Sequence, residues 1–126
     1  PAIGQGALGI ESRIDDDKTN ALIDFFNHAG TDWAVRAERS FLKTLEGGCQ
    51  VPIACHGTVE GEALTLTGFV ADCEGVQCLK KTISGSVHDA EKMGASLGDD
   101  LLIQGAGKIL NEVYQHETFN VDKEDV

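Results

Sequence analysis

Between Ile53 and Ser84 the chain alternates apolar and polar residues in three short runs separated by glycine-containing turns, and few folds accommodate that pattern. The first run extends from Ile53 to about Glu60, and Gly61-Glu62 turns the chain. Ala63 to Ala71 follows, with Leu64, Leu66 and Val70 recurring on one side, and Glu74-Gly75 turns it again. Val76 to Ser84 closes the set, with Leu79 and Ile83 facing one way and Lys80 and Thr82 the other. A period of two places the apolar residues on one face of a strand, and turns this short join antiparallel neighbours. One apolar face needs a cover, so helices must supply it.

The flanking sequence contains those helices. Asp15, Asp16 and Asp17 precede Leu22, Phe25, Phe26 and Ala29, which fit an amphipathic helix ending at Gly30, with His28 as a surface residue near its end. Thr31 or Asp32 is expected to cap a second helix running to about Glu46, with Ala34, Ala37, Phe41 and Leu45 as its apolar stripe. A third region opens at Asp89 and carries Ala90, Met93, Leu97 and Leu101; Gly105 to Gly107 kink or end it before Ile109, Leu110 and Val113. Beyond Tyr114, residues 115–126 are polar and aperiodic, which predicts a loosely ordered tail. The expected fold class is therefore α+β, a three-stranded antiparallel sheet covered on one face by about three helices. At 126 residues a single domain can bury its core without disulfide staples.

One loop concentrates the candidate chemistry. Gly47 and Gly48 end the second helix, Pro52 fixes its own φ, and Cys49 sits on the turn between them. A soft nucleophile on an anchored loop suits covalent chemistry, although free cysteines are also common as small buried apolar residues. Arg36, Arg39 and Lys43 fall on one side of the helix leading to Cys49, opposite its apolar stripe. In a chain of net charge −11 this ridge fits an anionic ligand held by guanidinium forks and an ammonium, and it equally fits a solvated face paired with Glu38 and Glu46. A helix C-terminus carries partial negative charge, so activation of the thiol has to come from those cations.

Other motifs lead elsewhere. Such an acidic chain is poorly suited to nucleic acid, and no apolar run is long enough for a membrane span. Cys49, Cys55, Cys73 and Cys78 lack a C-x-x-C spacing, so a zinc site built on Cys49, Cys55 and His56 falls short of a ligand set, and reduced thiols in a cytoplasmic setting are expected. Gly4 to Gly9 match G-x-G-x-x-G, but Ile10 to Ile14 continue as an irregular or extended segment rather than a helix start, so a dinucleotide site is rejected. The three consecutive aspartates fit a helix start better than a calcium loop. The chain opens on Pro1 without a methionine, and we expect it to continue something longer.

Pro1-Ala2-Ile3-Gly4-Gln5-Gly6-Ala7-Leu8-Gly9-Ile10-Glu11, Ala37-Glu38-Arg39 and Leu45-Glu46-Gly47-Gly48-Cys49-Gln50-Val51-Pro52-Ile53, in this order and spacing, closely resemble the porphobilinogen deaminase (hydroxymethylbilane synthase) family. The resemblance covers nearly the whole chain as that family's C-terminal third. It implies that Cys49, beside Gly48, holds a dipyrromethane cofactor through a thioether. It also implies that Arg39 steadies the acetate and propionate groups of a growing oligopyrrole, with Lys43, Arg36 and Gln5 as further candidates. On this reading residues 1–10 are a crossover from a preceding domain, and residues 11–126 are the cofactor-attachment domain. The family condenses porphobilinogen units with loss of ammonia to hydroxymethylbilane, in haem biosynthesis. Its catalytic aspartate belongs to earlier domains, so this polypeptide alone is expected to be an inactive part of a monomeric transferase. The alternative is a small-ligand binding or regulatory α+β module.

Overall fold

Strands β1 (Ile53–Glu60), β2 (Ala63–Ala71) and β3 (Cys78–Ser86) form one antiparallel sheet in the order β1-β2-β3. The computed structural model describes residues 1–45 and 52–121, with side chains through 115. Register runs from Ile53 opposite Val70 to Glu60 opposite Ala63, and from Ala63 opposite Ser86 to Ala71 opposite Cys78. Leu64, Leu66 and Val70 are fully buried on the face turned to the helices. Hydroxyl pairs Thr65–Ser84 at 3.0 Å and Thr67–Thr82 at 2.9 Å line the other, solvated face. The third strand begins two residues later than the expected Val76, and Asp72 is the reason. Its carboxylate accepts from the backbone N–H groups of Val76 and Gln77, both at 2.9 Å, and keeps them in the turn.

Four α-helices occur among the described residues: α1 (Asp17–Ile23), α2 (Ala29–Thr44), α3 (Ala90–Ile103) and α4 (Ala106–Val121). Helix α2 lies against β1, α3 against β3, and both meet β2, so the cover on one face is as expected. Phe41, Leu97 and Leu101 fill the layer between helices and sheet. Two glycines set its thickness. Gly94 of α3 faces the Ala37 carbonyl of α2, leaving no room for a Cβ, and at Gly68 of β2 a Cβ would stand 2.7 Å from the Phe41 ring. The Ser40 hydroxyl also donates to the Glu91 carbonyl at 2.7 Å, joining α2 to α3.

Three sequence expectations need correction. The first helix does not run to Gly30: α1 stops at Ile23, a 3₁₀ turn takes Asp24–Phe26, and Asn27 is extended. His28 is a surface residue, as expected, but it does not sit near the end of the first helix; its ring caps α2 at the N-terminus in place of Thr31 or Asp32, because Nδ1 accepts from Thr31 N–H at 3.2 Å. Past Gly105, whose φ of +109° breaks the helical path, the chain becomes helical again and stays so to Val121, where the polar composition predicts a loose tail. Glu46, the expected end of α2, lies outside the described residues; α2 ends at Thr44 with Leu45 as its cap.

Candidate functional site

Helix α2 organises the candidate site. Its buried stripe of Ala34, Ala37, Phe41 and Leu45 presses on the sheet, which turns Arg36, Arg39 and Lys43 to solvent. The three cations are not equivalent. Arg36 Nε lies 3.0 Å from the Asp32 carboxylate, with Glu91 3.9 Å from its Nη1, and the Asp32 hydrogen bond raises its pKa above the ordinary arginine value. Arg39 and Lys43, one turn apart, make no hydrogen bond or ion pair among the described residues. Lys43 lies in the last turn of α2, a few residues before Gly48 and Cys49, both of which lie outside the described residues.

Residues 1–6 form a strap along the free edge of β1. Pro1 C=O accepts from Cys55 N–H at 3.2 Å, and turns at Gly4 and Gly6 with φ of +68° and +86° carry the chain away from the sheet. Hollows open on both sides of this strap. Arg39 lines an open groove of about 750 Å³ together with Leu8, Ile10, Phe26 and Val35. Gln5 lines the other, of about 350 Å³, with His28, Glu38 and His56, while its own Oε1 accepts from Ala2 N–H at 3.1 Å. Arg36 and Lys43 line neither hollow.

Sequence reasoning missed the part played by Glu38. Far from pairing with the exposed ridge, it is only 5% exposed, and its carboxylate accepts from Gly4 N–H at 2.7 Å and Gly57 N–H at 2.8 Å. It thereby joins α2, the strap and β1, with His56 Nδ1 at 4.0 Å. The signal was present: Glu38 stands at i+4 from Ala34 and i−3 from Phe41, inside the apolar stripe. A charged residue in that stripe asks for buried donors.

The remaining cysteines separate clearly. Cys55 is buried, and burial, reinforced by the negative charge of Glu38, pushes its thiol up from an ordinary 9.0 to about 12. Cys73 and Cys78 are exposed free thiols. Cys55 and His56 point to opposite faces of β1, as neighbours on a strand must, which is why they do not converge on a metal. Among the described residues no group of three or more His, Cys, Asp or Glu side chains could hold a metal ion, and no helix is long and apolar enough to cross a membrane.

The model of the family described as porphobilinogen deaminase, C-terminal domain, matches residues 33–103, from the second turn of α2 to the end of α3. This chain belongs to that family. It is similar to the porphobilinogen deaminases of Geobacter metallireducens and Geobacter sulfurreducens, at 60% and 58% identity over 117 residues. That of Trichlorobacter lovleyi is 57% identical over the same length. These stretches cover 93% of this chain but only 37–38% of each relative, so the chain spans a little over a third of the transferases it matches. Arg39, Lys43 and Cys49 fall inside the family match, whereas the strap with Gln5 precedes it.

Proposed function

We propose that this domain carries the primer on which a full-length porphobilinogen deaminase builds its product, with Cys49 as the covalent attachment point and Arg39 as the principal carboxylate clamp. The observation that carries this reading is a pair of cations without partners among the described residues, Arg39 and Lys43, on the helix that precedes Cys49 in the sequence. A guanidinium and an ammonium left uncommitted in a chain of net charge −11 suit a ligand bearing several carboxylates. The residues thus fit a dipyrromethane with acetate and propionate arms. When bound, that group supplies the pyrrole terminus to which porphobilinogen units add with loss of ammonia, leading to hydroxymethylbilane in cytoplasmic haem biosynthesis.

The tasks of the chain's own residues follow from their chemistry. Cys49 sulfur, with Gly48 beside it, holds the primer through a thioether, which needs the thiolate that Cys55, buried beside Glu38, cannot readily form. Arg39 offers a planar fork and Lys43 a point charge to successive carboxylates. Arg36 can join only by exchanging Asp32 for ligand. Gln5 can contribute its side-chain amide from the second hollow once it gives up Ala2 N–H.

The test uses the full-length protein. Denatured wild type should give a pyrrole colour with Ehrlich's reagent and carry a covalent adduct at Cys49 by peptide mass spectrometry. Cys49→Ser should lose both. An adduct persisting in Cys49→Ser would overturn the attachment, and a colourless, unmodified wild type would instead favour a regulatory module.

A further inference from the structure

We propose that the turn between β2 and β3 is a soft-metal site, where the thiolates of Cys73 and Cys78 hold one copper(I) ion in linear two-coordination. Both are exposed free thiols, and the primer chemistry proposed above uses neither. They flank the tip of one hairpin. Ala71 stands opposite Cys78 in the register, and the pairing continues one step further where Asp72 N–H donates to Gln77 C=O at 3.0 Å. Cys73 and Cys78 are therefore diagonal neighbours across the two strands. Alternation along β3 sets Cys78 and Lys80 on the solvated face with Thr82 and Ser84, and Cys73, two residues past Ala71, continues on that side.

The turn holds the two thiols at a fixed separation. Asp72 C=O accepts from Gly75 N–H at 3.3 Å, its carboxylate takes the Val76 and Gln77 N–H groups, and Gly75 reverses the chain at a φ of +70°. The Cα atoms of a hydrogen-bonded pair such as Asp72 and Gln77 lie about 5.5 Å apart. Each cysteine is one strand step of about 3.3 Å beyond its member of that pair, in opposite directions, so the cysteine Cα atoms stand roughly 9 Å apart. A disulfide needs less than about 7 Å. The pair is thus too wide for a sulfur–sulfur bond while Asp72 keeps the turn closed. Two metal–thiolate bonds of about 2.3 Å in line separate the sulfurs by about 4.6 Å instead of about 2 Å, which covers the difference.

Ligand number and softness select the ion. Thiolates favour copper(I), zinc and iron–sulfur clusters. Structural zinc and the clusters take four protein ligands, whereas no group of three or more His, Cys, Asp or Glu side chains among the described residues is placed to hold a metal. Copper(I) is satisfied by two. On binding, each thiol releases its proton to solvent, two copper–sulfur bonds form and the copper stays monovalent, so no oxidant or reductant takes part. The resulting complex carries a single negative charge, and Lys80, exposed on the same face, offsets it. The site is separate from Cys49, whose sulfur, once joined to the primer, is a thioether rather than a thiolate.

The experiment uses reduced full-length protein, titrated without oxygen with copper(I) against a chromogenic copper(I) chelator. One equivalent should bind at least ~100-fold more weakly in Cys73→Ser and in Cys78→Ser, since each variant removes the chelating partner as well as a ligand. Cys49→Ser should bind that equivalent as wild type does, which keeps this test independent of the primer. X-ray absorption at one equivalent should show two sulfur neighbours and no third ligand. Oxidised glutathione, by peptide mass spectrometry, should leave native Cys73 and Cys78 without a mutual disulfide. Equal affinity in wild type and either single variant would overturn the site, as would a third ligand on copper. A Cys73–Cys78 disulfide in the native protein would overturn the spacing on which it rests. The spectrum and the disulfide assay use unsubstituted protein, so they decide the matter even if a serine variant fails to fold.

Discussion

Glu38 and Cys55 illustrate how much a single side chain settles here. One carboxylate satisfies two backbone donors from different parts of the chain, so Glu38→Ala leaves Gly4 and Gly57 N–H groups without a partner and frees the strap. We expect that substitution to cost roughly 2–4 kcal/mol in urea unfolding, and Glu38→Gln about half as much, since an amide oxygen can still accept one bond. Cys55 should resist alkylation at pH 8 in the native state while Cys73 and Cys78 react, as site-resolved mass spectrometry can read. Its folded-state pKa of about 12 lies above the ordinary 9.0, so its contribution to stability is complete below pH 9 and is lost as pH rises through that window. Cys55→Ala should therefore lose stability less steeply above pH 9. At this scale the sequence revealed the residue types but not their pairings. The run Arg36, Arg39 and Lys43 looks uniform as text, and only the structure distinguishes the paired Arg36 from its two uncommitted neighbours. Glu38 was misassigned for a related reason: a charge is read as surface unless its place in the stripe is weighed.

Elements were legible wherever a period was uninterrupted. The three strands, the stripe of α2 and the buried Ala90, Met93, Leu97 and Leu101 of α3 follow directly from spacings of two and of three or four. The misread places are those where one side chain captures backbone. Asp72 takes two turn N–H groups, and β3 starts late; His28 takes Thr31 N–H, and α2 starts early. Neither event has a periodic signature, and histidine is an uncommon cap. We expect His28→Ala to destabilise the domain by about 1 kcal/mol and His28→Asp to restore most of it, because an aspartate can cap and also favours the helix dipole. The crossing of α2 and α3 was equally invisible, resting on the absence of a side chain at Gly94. Gly94→Ala should cost about 1–3 kcal/mol in thermal unfolding, as its methyl meets the Ala37 carbonyl and must part the two helices.

The molecule as a whole combines a well-packed sheet-and-helix core with a surface that is chemically unfinished. It offers uncommitted cations at Arg39 and Lys43, and several of its carboxylates, among them Asp16, Asp32, Glu38 and Asp72, are committed to structural partners. Of the acidic side chains whose ionisation is shifted, Asp16 caps α1 and Asp72 closes the β2–β3 turn, and both are held below the ordinary aspartate value by backbone N–H donors, Thr19 foremost for the first and Gln77 for the second. Asp32 is taken by Arg36, and Glu38 by the strap and β1. Releasing ammonia from porphobilinogen calls for a carboxyl group set against the reacting pyrrole and able to hold and give up a proton near neutral pH. A carboxylate kept ionised by two or three fixed donors is a poor acid, and one fully engaged in a structural bond cannot move to substrate. The 126-residue polypeptide by itself should therefore show no consumption of porphobilinogen and no ammonia release, even at protein concentrations a hundredfold above those at which a full-length enzyme is assayed. Turnover by this chain alone would mean that one of its own carboxylates reaches the substrate, and Asp32, half-buried in the Arg39 groove and paired with Arg36, would be the first to replace with asparagine.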